Sequence, residues 1–229
     1  MTTTELGARG RAAYAVVAAL AWVGVGATLI ITAFDGYAPP TYVEEGLFAG
    51  AASGWAGAPK RLADCLSYFT ELSNIVVALI STILARRGRV GRWGRATHLC
   101  ALMMITVTAI VYALLIGPYE VLSGYALVTN PLQHVVVPAA FVGVAGLAGP
   151  RGGITWGTLA RALLIPAAWT AYTLARGAIT HQYPYGFVNV WRIGYGQVAV
   201  NIVAILVGGL LFMAAFAGID WVIRKIAKA

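Results

Sequence analysis

Residues 12–34 run for 23 positions without a single charged side chain. At about 1.5 Å per residue, an α-helix of that length crosses a hydrocarbon core roughly 30 Å thick. Lipid offers the backbone no hydrogen-bond partner, so such a run settles as a helix. It is too long for the core of a signal peptide, and no small-x-small cleavage site follows it. Further apolar segments lie at about 64–85, 96–117, 131–149, 155–176 and 196–221. The expectation is an all-α polytopic membrane protein, a six-transmembrane-helix bundle forming one domain over residues 1–229. Charged residues make up only 10% of the chain and apolar ones 60%. A soluble domain of this size covers its surface with more charge.

The net charge of +8 raises the question of nucleic acid, and its placement answers against it. Twelve of the sixteen Lys and Arg fall in four groups: Arg9 with Arg11, Arg86 to Arg95, Arg151 with Arg161, and Arg224 to Lys228. Each group borders an apolar run, as the positive-inside rule requires, and no folded basic face remains for phosphates. Lys60, Arg61, Arg176 and Arg192 lie towards the opposite side, with five of the eight acids. That asymmetry fits six spans with both termini inside. Two long outer loops follow, 36–61 with Pro39-Pro40 and Trp55, and 179–195 with YPYGF at 183–187. Their aromatic residues suit an interfacial belt or a lid over a cavity. Cys65 and Cys100 fall near opposite faces, and no metal-ligand spacing occurs.

Polar residues inside spans are costly in lipid, so their positions carry the most information. The second segment contains SYFTELSN, with Ser67, Thr70, Glu71 and Asn74 spaced along one helix face. The fourth opens with TNPLQH, where Asn130 reads as a helix cap and Pro131 as the first helical residue. Counting inward from the outer ends puts Thr70 about 9 Å deep and His134 about 5 Å deep. Both then sit in the outer half of the bilayer and meet if their helices face each other, within an outward-facing cavity. His98 lies near the inner surface and does not join them. A hydroxyl beside an imidazole is the minimum for nucleophilic acyl transfer. Asn74, Asn130 or the free N–H groups opening the fourth segment would serve a developing oxyanion. Glu71 would orient the imidazole or pair with Arg176. The plainer reading is that Thr70 bonds its own backbone and His134 only joins helices. Paired haem ligation requires two histidines at one depth, which His98 and His134 do not offer.

With these residues in view, the chain resembles a family of small polytopic membrane proteins. That family includes the androgen-induced protein and the androgen-dependent TFPI-regulating protein, together with bacterial relatives. The resemblance rests on YFTELSN at 68–74, TNPLQHVVVP at 129–138 and YPYGFVN at 183–189. The Ser-Asn after the Thr motif is similar to the bacterial branch. The resemblance implies a threonine hydrolase that cleaves fatty acid esters of hydroxy fatty acids, with Thr70 as nucleophile and His134 as its partner. Asn74, Asn130, Glu71 and Ser67 would support the reaction, and Tyr183, Tyr185 and Arg176 would contact substrate. No cofactor or metal is implied. The partners would be a lipid ester and membrane lipids, and the location a bacterial plasma membrane. The alternative is a small transporter or channel with Glu71 as its ionisable group.

Overall fold

The computed structural model describes residues 5–38, 44–152 and 154–226. Pro39, Pro40 and Lys228 lie outside them. The described chain is helical, and its only β pairing is a single bridge between Leu47 and Tyr183. Helix α1 covers Ala8–Ala33, α2 Ala58–Ser67, α3 Phe69–Arg87 and α4 Arg92–Val111. Then come α5 Ala126–Pro131, α6 Val137–Ala148, α7 Trp156–Ala162, α8 Leu164–Thr180 and α9 Val190–Ile226. Five continuous helical stretches among the described residues are long and apolar enough to cross a membrane: Ala8–Ala33, Phe69–Arg87, Arg92–Tyr119, Ala126–Ala148 and Val190–Ile226. The expected fifth segment, 155–176, is instead two helices, α7 and α8, meeting at Leu163.

Local sequence explains several of these ends. Gly88 takes a left-handed conformation (φ 65°) and returns its N–H to Leu84, closing α3. Arg11 reaches across from α1 and donates to the carbonyls of Ala85 and Arg86, at 3.0 and 2.8 Å. A cation is favourable there, at the negative end of the α3 dipole. Thr155 caps α7 by accepting the Thr158 N–H. Helix α1 lies along α3, and α4 packs between α3, α7 and α9. The core is built from Tyr14, Val77, Ile80, Met104, Ile105 and Phe141, and α9 adds the buried Met213 with Ile205, Phe212 and Phe216 packed against it.

Three segment boundaries differ from the sequence expectation in ways that bear on the site. The second segment is not one helix from 64, because Tyr68 is extended (φ −69°, ψ 136°) and separates α2 from α3. Thr70 is therefore in the first turn of a helix rather than two turns inside one. The fourth segment begins before Asn130, so Asn130 is no cap and Pro131 lies within a continuous helical stretch. The sixth opens at Val190 and kinks at Gly194 (φ 74°) before its long course.

Two short π-helical turns interrupt the remaining stretches, at Tyr112–Ile116 and Leu132–Val136. Each stands just ahead of a proline. Gly117 N–H bonds Tyr112 O before Pro118, and Val137 N–H bonds Leu132 O before Pro138. Proline has no N–H, so shifting the hydrogen-bond register leaves a carbonyl without its backbone donor. In the second turn that carbonyl belongs to Gln133, and Asn74 Nδ2 of α3 donates to it at 3.3 Å. The bulge thus ties the Leu132–Val136 turn to α3.

Candidate functional site

Thr70 Oγ1 and His134 Nε2 stand 3.2 Å apart. Both residues are half-buried. The imidazole's other nitrogen, Nδ1, lies 3.0 Å from the Asn130 carbonyl. A carbonyl only accepts, so Nδ1 carries the proton there and neutral Nε2 is left as an acceptor for the threonine hydroxyl. The ring is held from one side by Tyr112, stacked at 4.0 Å between centroids and 22° between planes. Tyr112 and His134 both sit on the π-helical turns, so the two register shifts meet at this stack.

Thr70 is fixed through its backbone. Its carbonyl accepts from Ser73 Oγ and from Asn74 Nδ2, each at 2.9 Å. Ser73 in turn meets Thr108 of α4 at 2.9 Å. At the other end of the residue, the Thr70 N–H donates to the Tyr185 hydroxyl at 3.3 Å, and that hydroxyl is 3.4 Å from Thr70 Oγ1. First-turn N–H groups have no partner within the helix, so Tyr185 acts as a cap supplied by a distant loop. Burial pushes the Tyr185 phenol up to about 12, so it stays neutral and keeps a proton to donate.

The two outer loops carry Tyr185 into place. Phe48 N–H donates to Tyr183 O at 3.1 Å, and Tyr183 N–H to Gly46 O at 2.8 Å. Asn189 Nδ2 donates to Glu45 O at 2.8 Å, and Gln182 links Ala49 to Lys60. The buried Tyr183 ring lies on Gly177 of α8, where a Cβ would fall 2.0 Å from the ring. Tyr185 stacks on Phe187 and packs edge-on against Tyr68.

The remaining sequence candidates divide clearly. Asn74 Nδ2 is committed to the carbonyls of Thr70 and Gln133, so it ties the first turn of α3 to the Leu132–Val136 turn and is not free to serve as an oxyanion donor. Asn130 donates its amide to Glu120 at 2.9 Å, and its carbonyl orients His134. Ser67 lies beyond the break at Tyr68, off the α3 face. It donates to Ala63 O at 2.6 Å and accepts from Arg176 at 2.7 Å. Arg176 pairs with Asp64 rather than Glu71, and its guanidinium lies 4.4 Å from the Phe48 ring. Glu71 is 4% exposed with Oε2 unpartnered. Its neighbour is Gln133, so it does not orient the imidazole. Tyr183 is a packing residue under the loop. Sequence reasoning missed Tyr112, Asp64 and Lys60. The signal for Tyr112 was a lone phenol six residues ahead of Pro118 in an otherwise apolar run.

No family model, curated protein or solved structure matches the chain. The class rests on the helices themselves: among the described residues the protein is helical, with five helices long and apolar enough to cross a membrane.

Proposed function

We propose that this protein is an intramembrane hydrolase of lipid esters, with Thr70 as nucleophile and His134 as general base. The observation that carries the reading is the 3.2 Å hydroxyl–imidazole pair whose second ring nitrogen is bound to a carbonyl. Thr70 Oγ1 attacks the ester carbonyl carbon and its proton passes to Nε2. The tetrahedral intermediate collapses, and the leaving alcohol takes that proton. Water then attacks the acyl-threonine with His134 again as base, releasing the fatty acid. The Tyr185 hydroxyl, 3.4 Å from Oγ1, would donate to the oxyanion.

Exposed apolar residues beside the pair, Leu115 and Val135, suit lateral entry of a lipid. The sequence resemblance supports fatty acid esters of hydroxy fatty acids as substrates, in a bacterial plasma membrane. On this reading α7 and α8 together make the fifth of six crossings, and both termini lie on the side of the arginine clusters. The test is turnover of a branched fatty acid ester by purified protein. Undiminished turnover by both Thr70→Ala and His134→Ala would reject the assignment.

A second reading, transport, is carried by Glu71, a buried carboxyl with an unpartnered oxygen. An intramembrane acid commonly marks an ion path. Solute uptake into proteoliposomes that Glu71→Gln abolishes would establish it.

A further inference from the structure

A second polar locus lies at the far end of α4. His98 precedes Thr108 by ten residues, about 15 Å along the helix, and Thr108 is at the level of Thr70 through Ser73. Around His98 opens a cavity of about 120 Å³ between α4, α6, α7, α9 and the α6–α7 connection. Its deeper wall is apolar, with Leu99, Leu102, Val142 and Phe216, and its polar rim includes Arg95, Arg151 and Asp220.

The rim is short of negative charge. Both Asp220 carboxylate oxygens accept the Gly152 N–H, at 3.2 and 3.1 Å, and one lies 4.0 Å from Arg224. Arg95 donates to the Gly152 carbonyl at 3.3 Å and Arg151 to the Gly146 carbonyl. No ion pair among the described residues joins Arg95 or Arg151 to an acid. Each guanidinium has five N–H donors in a rigid fork. Both are half-buried, so their charge is less screened than at an open surface.

Two forks without carboxylate partners among the described residues, above an apolar wall, match a phosphate ester that carries a hydrocarbon portion. A small carboxylate would leave that wall empty, and a neutral lipid would leave both charges unpaired. We propose that this cavity is a binding site for the phosphate of an anionic phospholipid headgroup, separate from the Thr70 site. Arg95 and Arg151 hold the phosphate oxygens, and Leu99, Leu102 and Phe216 hold the first carbons of the lipid. Basic pockets between membrane helices take anionic headgroups in this way.

The experiment uses the full chain purified in a neutral detergent. It measures the thermal midpoint and lipid retention by native mass spectrometry with phosphatidylglycerol, phosphatidylcholine or glycerol phosphate. Phosphatidylglycerol is expected to raise Tm by about 5 °C, and phosphatidylcholine by much less. Arg95→Gln with Arg151→Gln should weaken phosphatidylglycerol binding at least about tenfold. Arg86→Gln with Arg87→Gln removes equal charge outside the cavity and should leave binding within about twofold. Glycerol phosphate binding as tightly as phosphatidylglycerol keeps the phosphate site and assigns it to a soluble ester. Equal stabilisation by the two lipids, or equal loss in both charge variants, overturns the proposal. Should the Gln pair not fold, Arg95→Lys with Arg151→Lys keeps the charge and removes the forks. That variant should bind at least about fivefold more weakly, and unchanged binding would overturn the proposal.

Discussion

Among the described residues two imidazole–hydroxyl pairs stand at opposite ends of the bundle. His134 Nε2 meets Thr70 Oγ1 at 3.2 Å, and His98 Nε2 meets Tyr14 OH at 2.8 Å. The shorter contact is the more enclosed arrangement. Tyr14 is fully buried, and His98 lies against both Tyr14 and Phe141. The cavity beside His98 is not lined by Tyr14, whose hydroxyl is closed to a substrate carbonyl. Thr70 and His134 are half-buried, at a helix start with a loop hydroxyl beside them. A short hydrogen bond therefore does not identify a nucleophile. Access, a fixed tautomer and a nearby donor distinguish the Thr70 pair.

Mutation of each pair in turn should produce the largest contrast. Thr70→Ala and His134→Ala are expected to lower ester turnover by about 10³-fold or more with little change in Tm. Tyr14→Phe should do the reverse. It leaves buried His98 Nε2 without its partner at a cost of about 1–3 kcal/mol, read as a fall in Tm with turnover unchanged. A Tyr14→Phe protein that folds normally but loses turnover would erase the distinction.

Tyr185 gives the next effect. Tyr185→Phe removes the hydroxyl 3.4 Å from Thr70 Oγ1 and should reduce kcat by about 10²-fold, the scale of one lost oxyanion donor. The pH profile sharpens this. Burial raises the phenol to about 12, so it is protonated at every pH below that and adds no limb of its own. Wild type and Tyr185→Phe should then show the same profile shape between about pH 5 and 10. A basic limb that disappears in the variant would mean that Tyr185 titrates within that range.

Gly177→Ala should act from a distance. The added Cβ meets the Tyr183 ring at 2.0 Å, and the ring must move. Tyr183 is two residues from Tyr185, and its backbone is bonded to Gly46 and Phe48. Displacing it by about 1 Å should lower turnover about tenfold while His98 and Tyr14 are untouched. Hydrogen exchange confined to 44–57 and 181–189 would locate the change.

The long apolar helices were legible because an apolar run in lipid leaves the backbone few options. Charge-free runs at 12–34 and 96–117 could only become helices. The Thr and His motifs were visible as costly polar residues, although nothing in their spacing said that α3 and the Leu132–Val136 turn touch. The break at Tyr68 was not legible at all. No Gly or Pro marks LADCLSYFTELSN, and the groups freed there find partners far away in sequence. Ser67 O accepts from Trp169 Nε1 at 2.9 Å, and Thr70 N–H reaches Tyr185. A break stabilised by residues about a hundred positions away leaves no local signature. The π-helical turns were half legible: a proline such as Pro138 inside an apolar run announces a kink, and nothing local marks a shift of register.

The stack on His134 is the smallest effect and the finest test. Tyr112 lies nearly parallel to the imidazole at 4.0 Å, whereas Phe141 meets His98 tilted at 58° and 5.4 Å. Aromatic pairs contribute about 0.5–1.5 kcal/mol beyond their burial. If that energy keeps the imidazole plane aligned with Thr70, Tyr112→Leu should lower kcat about threefold with KM unchanged. Tyr112→Phe should retain full rate, since the ring rather than the hydroxyl makes the stack. Phe141→Leu should change Tm alone. A Tyr112→Leu effect that appears entirely in KM would mean that Tyr112 contacts the lipid and does not hold the base.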